Sequence, residues 1–142
     1  MQHSYDREDI PRVIIEEHLA LRTASRWLVG FLAEVPDGRA HQARRVALHE
    51  YLGSLKRELI RHFGHEENEE GFCQCHVGET AFHRLCREHV EMLAKIDALS
   101  IAIKTGEGPF TAPELQGFDD FLALLATHET EEREALEKHR RG

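Results

Sequence analysis

Four stretches of this chain keep core-type residues at alternating steps of four and three, and each seats a histidine in one of those slots. Steps of four and three follow one face of an α-helix, so each stretch reads as a helix with an inward seam. From about residue 10 to 34 the seam is Ile14, His18, Leu21, Ser25, Leu28 and Leu32. From about 40 to 69 it is Leu48, Leu52, Leu55, Leu59, His62 and Glu66, so four leucines lead straight into a histidine and a carboxylate. The third, about 79 to 105, runs Phe82, Leu85, His89, Met92, Ile96, Leu99 and Ile103; the fourth, about 112 to 139, runs Phe118, Phe121, Leu125, His128, Glu132 and Ala135.

Punctuation falls between the stretches. Pro11 fits a first helical turn, where a missing N–H costs nothing, and Pro36-Asp37-Gly38 closes the first stretch. Glu70-Gly71 ends the second, and Gly106-Glu107-Gly108-Pro109 separates the third from the fourth. Thr111-x-x-Glu114 is a capping box, which satisfies free N–H groups at a helix start. Four helices of similar length with short connections predict an all-α, up-down-up-down antiparallel four-helix bundle, one domain spanning residues 1–142.

Composition narrows the partners. A formal charge of −8 leaves no basic surface for phosphates, which argues against nucleic acid and anionic membrane. Apolar runs of only a few residues exclude a membrane-spanning helix, and the first residues lack the apolar core of a secretory signal, so the expected compartment is the cytoplasm. Three cysteines, Cys73, Cys75 and Cys86, are an odd count suited to reduced thiols. Eleven histidines in 142 residues are an excess, and imidazole is the commonest metal ligand.

Antiparallel order brings the seam histidines to one depth. His18 and His89 lie a few turns in from the starts of their helices, while His62/Glu66 and His128/Glu132 lie near the ends of theirs, at ~1.5 Å of rise per residue. Two ionised carboxylates and four imidazoles in a leucine core cost several kcal/mol per charge, roughly, unless something compensates them. A pair of metal ions does so, since imidazole nitrogens and carboxylate oxygens suit iron, manganese or zinc; a hydrogen-bonded polar layer without metal is the alternative. In each His-x-x-x-Glu the partners are one turn apart and project from one face.

The ordered pattern His18, then His62-Phe63-Gly64-His65-Glu66-Glu67, then His89, then His128-Glu129-Thr130-Glu131-Glu132 resembles the hemerythrin-like, or HHE cation-binding, domain over about residues 10–139. The resemblance implies two non-heme iron ions with an oxo or hydroxo bridge, Glu66 and Glu132 as bridging carboxylates, and His18, His62, His89 and His128 as terminal ligands; zinc or manganese are possible substitutes. It implies a small diatomic ligand, O2 or NO. The pattern departs from the oxygen carriers at two places. Leu85 and Leu93 stand four residues either side of His89, where the carriers' third helix presents a second histidine, and Arg133 stands where they place an aspartate. Ferritin-like di-iron bundles use Glu-x-x-His pairs, and no histidine here has Glu three residues before it.

Two function classes follow: a protein that binds or senses O2 or NO, and a di-iron oxidoreductase acting on O2, peroxide or NO. Iron storage or delivery is a third. Several further residues carry paired expectations. His65 either fills a coordination position or sits beside the site as a ligand-orienting group, and Glu67 and Glu129 belong to the solvated face or to that supporting set. Cys73, Cys75, His76, His83 and Cys86 have the residue types of a zinc site without its usual spacing; a redox-responsive thiol or incidental cysteines are the alternatives. His41, His49, His3 and His139 are expected to face solvent, and Trp27 to pack or lie on a helix surface.

Overall fold

The computed structural model describes residues 9–34, 40–67 and 79–141, apart from the side chains at 9–11, 13, 136 and 139–141. Helix α1 spans Asp9–Ala33, α2 His41–Glu67, α3 Glu79–Thr105 and α4 Ala112–Arg141, and no strand occurs among the described residues. Each helix packs against its neighbours in sequence, and α1 meets α4 to close the ring, giving a four-helix bundle. The α2/α3 and α3/α4 interfaces are the most extensive; α1 lies more loosely against α2 and α4. No helix among the described residues is long and apolar enough to cross a membrane.

The seams face one another. Leu21, Leu28, Leu48, Leu52, Leu55, Leu59, Met92, Ile96, Ile103, Phe118, Phe121 and Leu125 form the main core, joined by Phe63. Each fully buried side chain of this kind contributes about 1.5–3 kcal/mol, so the shared core rather than helix propensity holds the bundle. A smaller cluster of Ile14 and Leu85, backed by Ala81, Phe82 and Ala135, lies one turn beyond the histidines. Apolar packing thus covers the polar layer on both sides, and only Ser25, Leu32, Leu99, Phe82 and Ala135 of the apolar or small seam positions are less than fully buried.

The 4-3 rhythm of α2, run backwards from Leu48, lands on Arg45, and that arginine is fully buried. Its guanidinium donates to Gly108 O at 2.8 Å, Pro109 O at 2.9 Å and both oxygens of Glu114 at 2.8 and 3.0 Å. Arg45 therefore ties the α3–α4 turn to α2 at the end of the bundle away from the histidines. Gly106 has no room for a Cβ beside this guanidinium, and Gly108 adopts φ 73°, so both turn glycines are required by geometry. The capping box is formed: Thr111 N–H donates to Glu114 Oε1 at 2.8 Å and Glu114 N–H to Thr111 Oγ1 at 3.2 Å.

His41 and His49 are half-buried rather than solvent-facing; His41 lies beside Leu32 and the Pro109–Phe110 turn. Trp27 is 43% exposed and stacks on Tyr51 and Phe31, with ring centroids 4.0 and 5.0 Å apart. His3, Cys73, Cys75 and His76 and the side chain of His139 lie outside the described residues.

Candidate metal centre

The structure brings His18, His62, Glu66, His89, His128 and Glu132 to one level of the bundle. Ligand atoms of His18, His62, Glu66 and Glu132 all lie within 4.8 Å of one another, as do those of Glu66, His89, His128 and Glu132. The two sets share both glutamates. His62, Glu66, His89, His128 and Glu132 are at most 3% exposed, whereas the His18 side chain is 12% exposed.

Each imidazole turns its Nε2 inward. His18 Nε2 lies 2.6 Å from Glu132 Oε1, and His128 Nε2 3.4 Å from Glu132 Oε2. His62 Nε2 lies 3.4 Å from Glu66 Oε2, and His89 Nε2 3.0 Å from Glu66 Oε1. Three of the four are held from behind, through Nδ1, by a carboxylate from the preceding helix in the ring. His62 Nδ1 donates to Glu17 Oε1 at 2.8 Å, His89 Nδ1 to Glu67 Oε2 at 2.5 Å and His128 Nδ1 to Glu88 Oε1 at 2.6 Å. A carboxylate only accepts, so these bonds put the imidazole proton on Nδ1 and leave a lone pair on Nε2. His89 Nε2 and His128 Nε2 then stand 3.1 Å apart, an arrangement of facing lone pairs that requires a cation or proton between them. Phe63 lies flat on His89, with centroids 3.9 Å apart at 9°, and fixes the ring plane.

Electrostatics agree with that geometry. All four oxygens of Glu66 and Glu132 are buried without a hydrogen-bond partner. Burial, then the charge of Glu132, pushes the Glu66 carboxyl well above its ordinary range. Glu132 is held well below that range, because Glu66, His128 and His18 outweigh its own burial. The two carboxyls are thus pushed in opposite directions. Burial and the neighbouring His128 push His89 down to about 3, keeping it neutral. His128 is raised: burial opposes the charge, but Glu132 and Glu88 outweigh it. Glu17 is lowered, its burial outweighed by His62 and His65.

This donor set fits divalent or trivalent cations. Unpartnered buried carboxylates, deprotonated inward nitrogens and a supporting ring of acceptors are what nitrogen- and oxygen-ligated metals require, and thiolate-rich zinc chemistry is not what the two sets offer. His65 does not enter either set; its Nδ1 donates to Glu17 Oε2 at 2.7 Å, so it shares the acceptor of His62. Glu67 and Glu129 both support the layer, Glu67 through His89 and Glu129 through an ion pair with Arg22 beside His18. Glu17 and Glu88 were not singled out by the sequence reading. Each immediately precedes a seam histidine, which is the one signal that marks them.

Cys86 forms a further small group with Glu67 and His89 whose ligand atoms lie within 4.8 Å. Burial and the nearby Glu67 and Glu66 push its thiol up to about 11. His83 is exposed, lies 3.8 Å from Glu79 and does not belong to that group.

A family model described as the hemerythrin HHE cation binding domain matches residues 9–138. No curated protein and no solved structure matches the chain.

Proposed function

The chain belongs to the hemerythrin HHE cation-binding domain family, and from that premise we propose that its core holds two non-heme iron ions and binds or senses a small ligand such as O2 or NO. The observation that carries the reading is the pair of four-donor sets sharing Glu66 and Glu132, whose four oxygens have no other partner. In this reading His18 and His62 serve one ion, His89 and His128 the other, and the two glutamates serve both. A reduced iron pair would supply electrons and open coordination positions to the incoming molecule.

The protein's own part is to orient and to exclude water. Glu17, Glu67 and Glu88 hold three imidazoles in one tautomer, and the Ile14/Leu85 cluster and the main core close the layer above and below. A cavity of about 370 Å3 between α1 and α2, lined by Ala20, Leu21, Ala24, Tyr51 and Leu55, reaches Glu17 and His62. Its floor of Ala20, Leu21, Ala24 and Leu55 is apolar and its rim carries Glu16, Ser54, Glu58 and Arg61, a route wide enough for a diatomic. The one thiol grouped with this layer among the described residues, Cys86, is pushed up to about 11 and is a poor nucleophile, which favours binding or sensing over turnover.

Anaerobic purification, an iron count per chain and optical spectra before and after O2 test the proposal. Two irons per chain and a new charge-transfer band on oxygenation are expected. One zinc per chain and no spectral response would overturn it, and sustained consumption of O2, peroxide or NO with a reductant would make the protein an enzyme instead.

A further inference from the structure

The four imidazoles are not held alike. His62, His89 and His128 each donate from Nδ1 to a carboxylate at 2.5 to 2.8 Å and are almost fully buried. For His18 the corresponding carboxylate is Glu129, from α4, but Nδ1 lies 3.7 Å from Glu129 Oε1, too far for a hydrogen bond. Arg22 Nη2 stands 2.5 Å from the same oxygen as an ion pair, outside hydrogen-bond geometry, so the oxygen is drawn to the guanidinium by charge. Arg22 stands one helical turn after His18 on α1, and its charge keeps this oxygen beside the guanidinium and away from the imidazole. His18 also lacks a plate like Phe63 on His89; its ring meets only the edge of His62, at 5.0 Å and 67°. It sits on the most loosely packed helix and is the most exposed of the four.

We propose that Arg22, by withholding Glu129 from His18, makes His18 the exchangeable ligand of the metal pair, and that the α1 side is where the site opens to an external ligand. Arg22 and Glu129 are positioning residues in this scheme; neither belongs to the two donor sets. An imidazole without an acceptor on Nδ1 is a weaker base and is free to rotate about its side-chain bonds, so it leaves a metal more readily than one clamped at both nitrogens. The inference rests on the metal reading above.

The test uses the full chain loaded with zinc, a diamagnetic probe, with histidine side chains labelled with nitrogen-15. Zinc is counted first. Proton–nitrogen correlation spectra are then expected to show protected Nδ1–H signals for His62, His89 and His128, and an Nδ1–H of His18 that exchanges with water at least tenfold faster. Replacing the half-exposed Arg22 by methionine frees Glu129, so Arg22→Met should produce a fourth protected signal and slow zinc release to a chelator severalfold. Arg22→Lys keeps a cation near Glu129 and should behave as the natural protein, which a purely structural role for the side chain does not predict. Two zincs per chain with four equally protected imidazoles, or an Arg22→Met protein in which His18 is unchanged, would overturn the inference while leaving the metal reading intact. A folded chain that takes up no metal would remove both.

Discussion

Replacing Glu66 by glutamine separates what the core residues do for the fold from what they do for metal. The Glu66 side chain has no exposed surface, and neither of its oxygens has a hydrogen-bond partner. A buried polar group left in that condition costs about 1–3 kcal/mol. Glutamine has the same shape, carries no charge, and presents an amide donor to Glu132, which only accepts. The metal-free Glu66→Gln protein should therefore be more stable than the metal-free natural chain by about 1–3 kcal/mol, or roughly 3 °C of melting temperature per kcal/mol for a chain of this size. The same change removes a carboxylate that both donor sets share, so it should abolish the stabilisation that added metal gives the natural protein, which grows as RT ln(1 + [L]/Kd).

Differential scanning calorimetry in chelator and in excess ferrous iron measures both effects, and they must have opposite signs. The pH dependence adds a check. Because the folded-state value of Glu66 is raised, its contribution to stability is fully present below the ordinary carboxyl value of 4.5 and is lost as pH rises through the folded value. The advantage of glutamine should accordingly widen from pH 5 to pH 8 in the metal-free protein. A variant that is less stable than the natural chain without metal, or that keeps the full metal-induced shift, would refute the account of Glu66 as a strained ligand.

Three other outcomes follow from particular contacts. Arg45→Met should lower the stability of the metal-free protein by about 3–5 kcal/mol in urea unfolding, since it strands Glu114 and the turn carbonyls, yet leave metal uptake per folded chain unchanged, as the site lies ~25 Å away along α2. In the metal-free protein, NMR titration should place His128 above the usual imidazole value of 6.5 while His89 stays neutral at pH 5, and Glu88→Gln should lower the His128 midpoint; the stability His128 contributes is full below 6.5 and lost as pH rises through its folded value. With Cys73 and Cys75 replaced by serine, Cys86 should resist Ellman's reagent at pH 8, where a thiol at about 11 is only about one part in a thousand thiolate.

The helices were legible because period is a local property. Leu52 and Leu59 or Met92 and Ile96 announce an inward face without reference to any other helix, and a histidine in such a slot is inward for the same reason. Arg45 obeys the same rhythm but was passed over because a lone arginine in a seam slot reads as the end of the seam; only the turn carbonyls and Glu114, more than fifty residues away, make its burial tolerable. Glu17 and Glu88 were illegible for a related reason. Each stands about 100° round its helix from the seam, the direction of solvent for an isolated helix, and becomes interior only because the adjacent helix brings a histidine to it. His41 is half-buried for a like reason, the α3–α4 turn that the bundle brings beside it.

That dependence on neighbours binds the site to the fold. Every helix sends a residue or a His-x-x-x-Glu pair to the polar layer, and a residue beside one of these toward the next helix's histidine: Glu17 of α1 to His62, Glu67 of α2 to His89, Glu88 of α3 to His128, and Glu129 of α4 toward His18. The adjacent-residue offset follows from the ~100° between successive side chains, which points one at the bundle axis and the other across an interface. The acceptor for His62 is 45 residues away in sequence, that for His89 is 22, and that for His128 is 40, so none of these imidazoles is oriented until two helices have docked. Metal affinity of the unfolded chain is then low, and nearly the whole binding free energy becomes folding free energy. Under the proposed metal reading, the weakest contact in the ring, His18 against Glu129, is where a change at the site would pass most readily into the position of a helix, and α1 is the helix it would move.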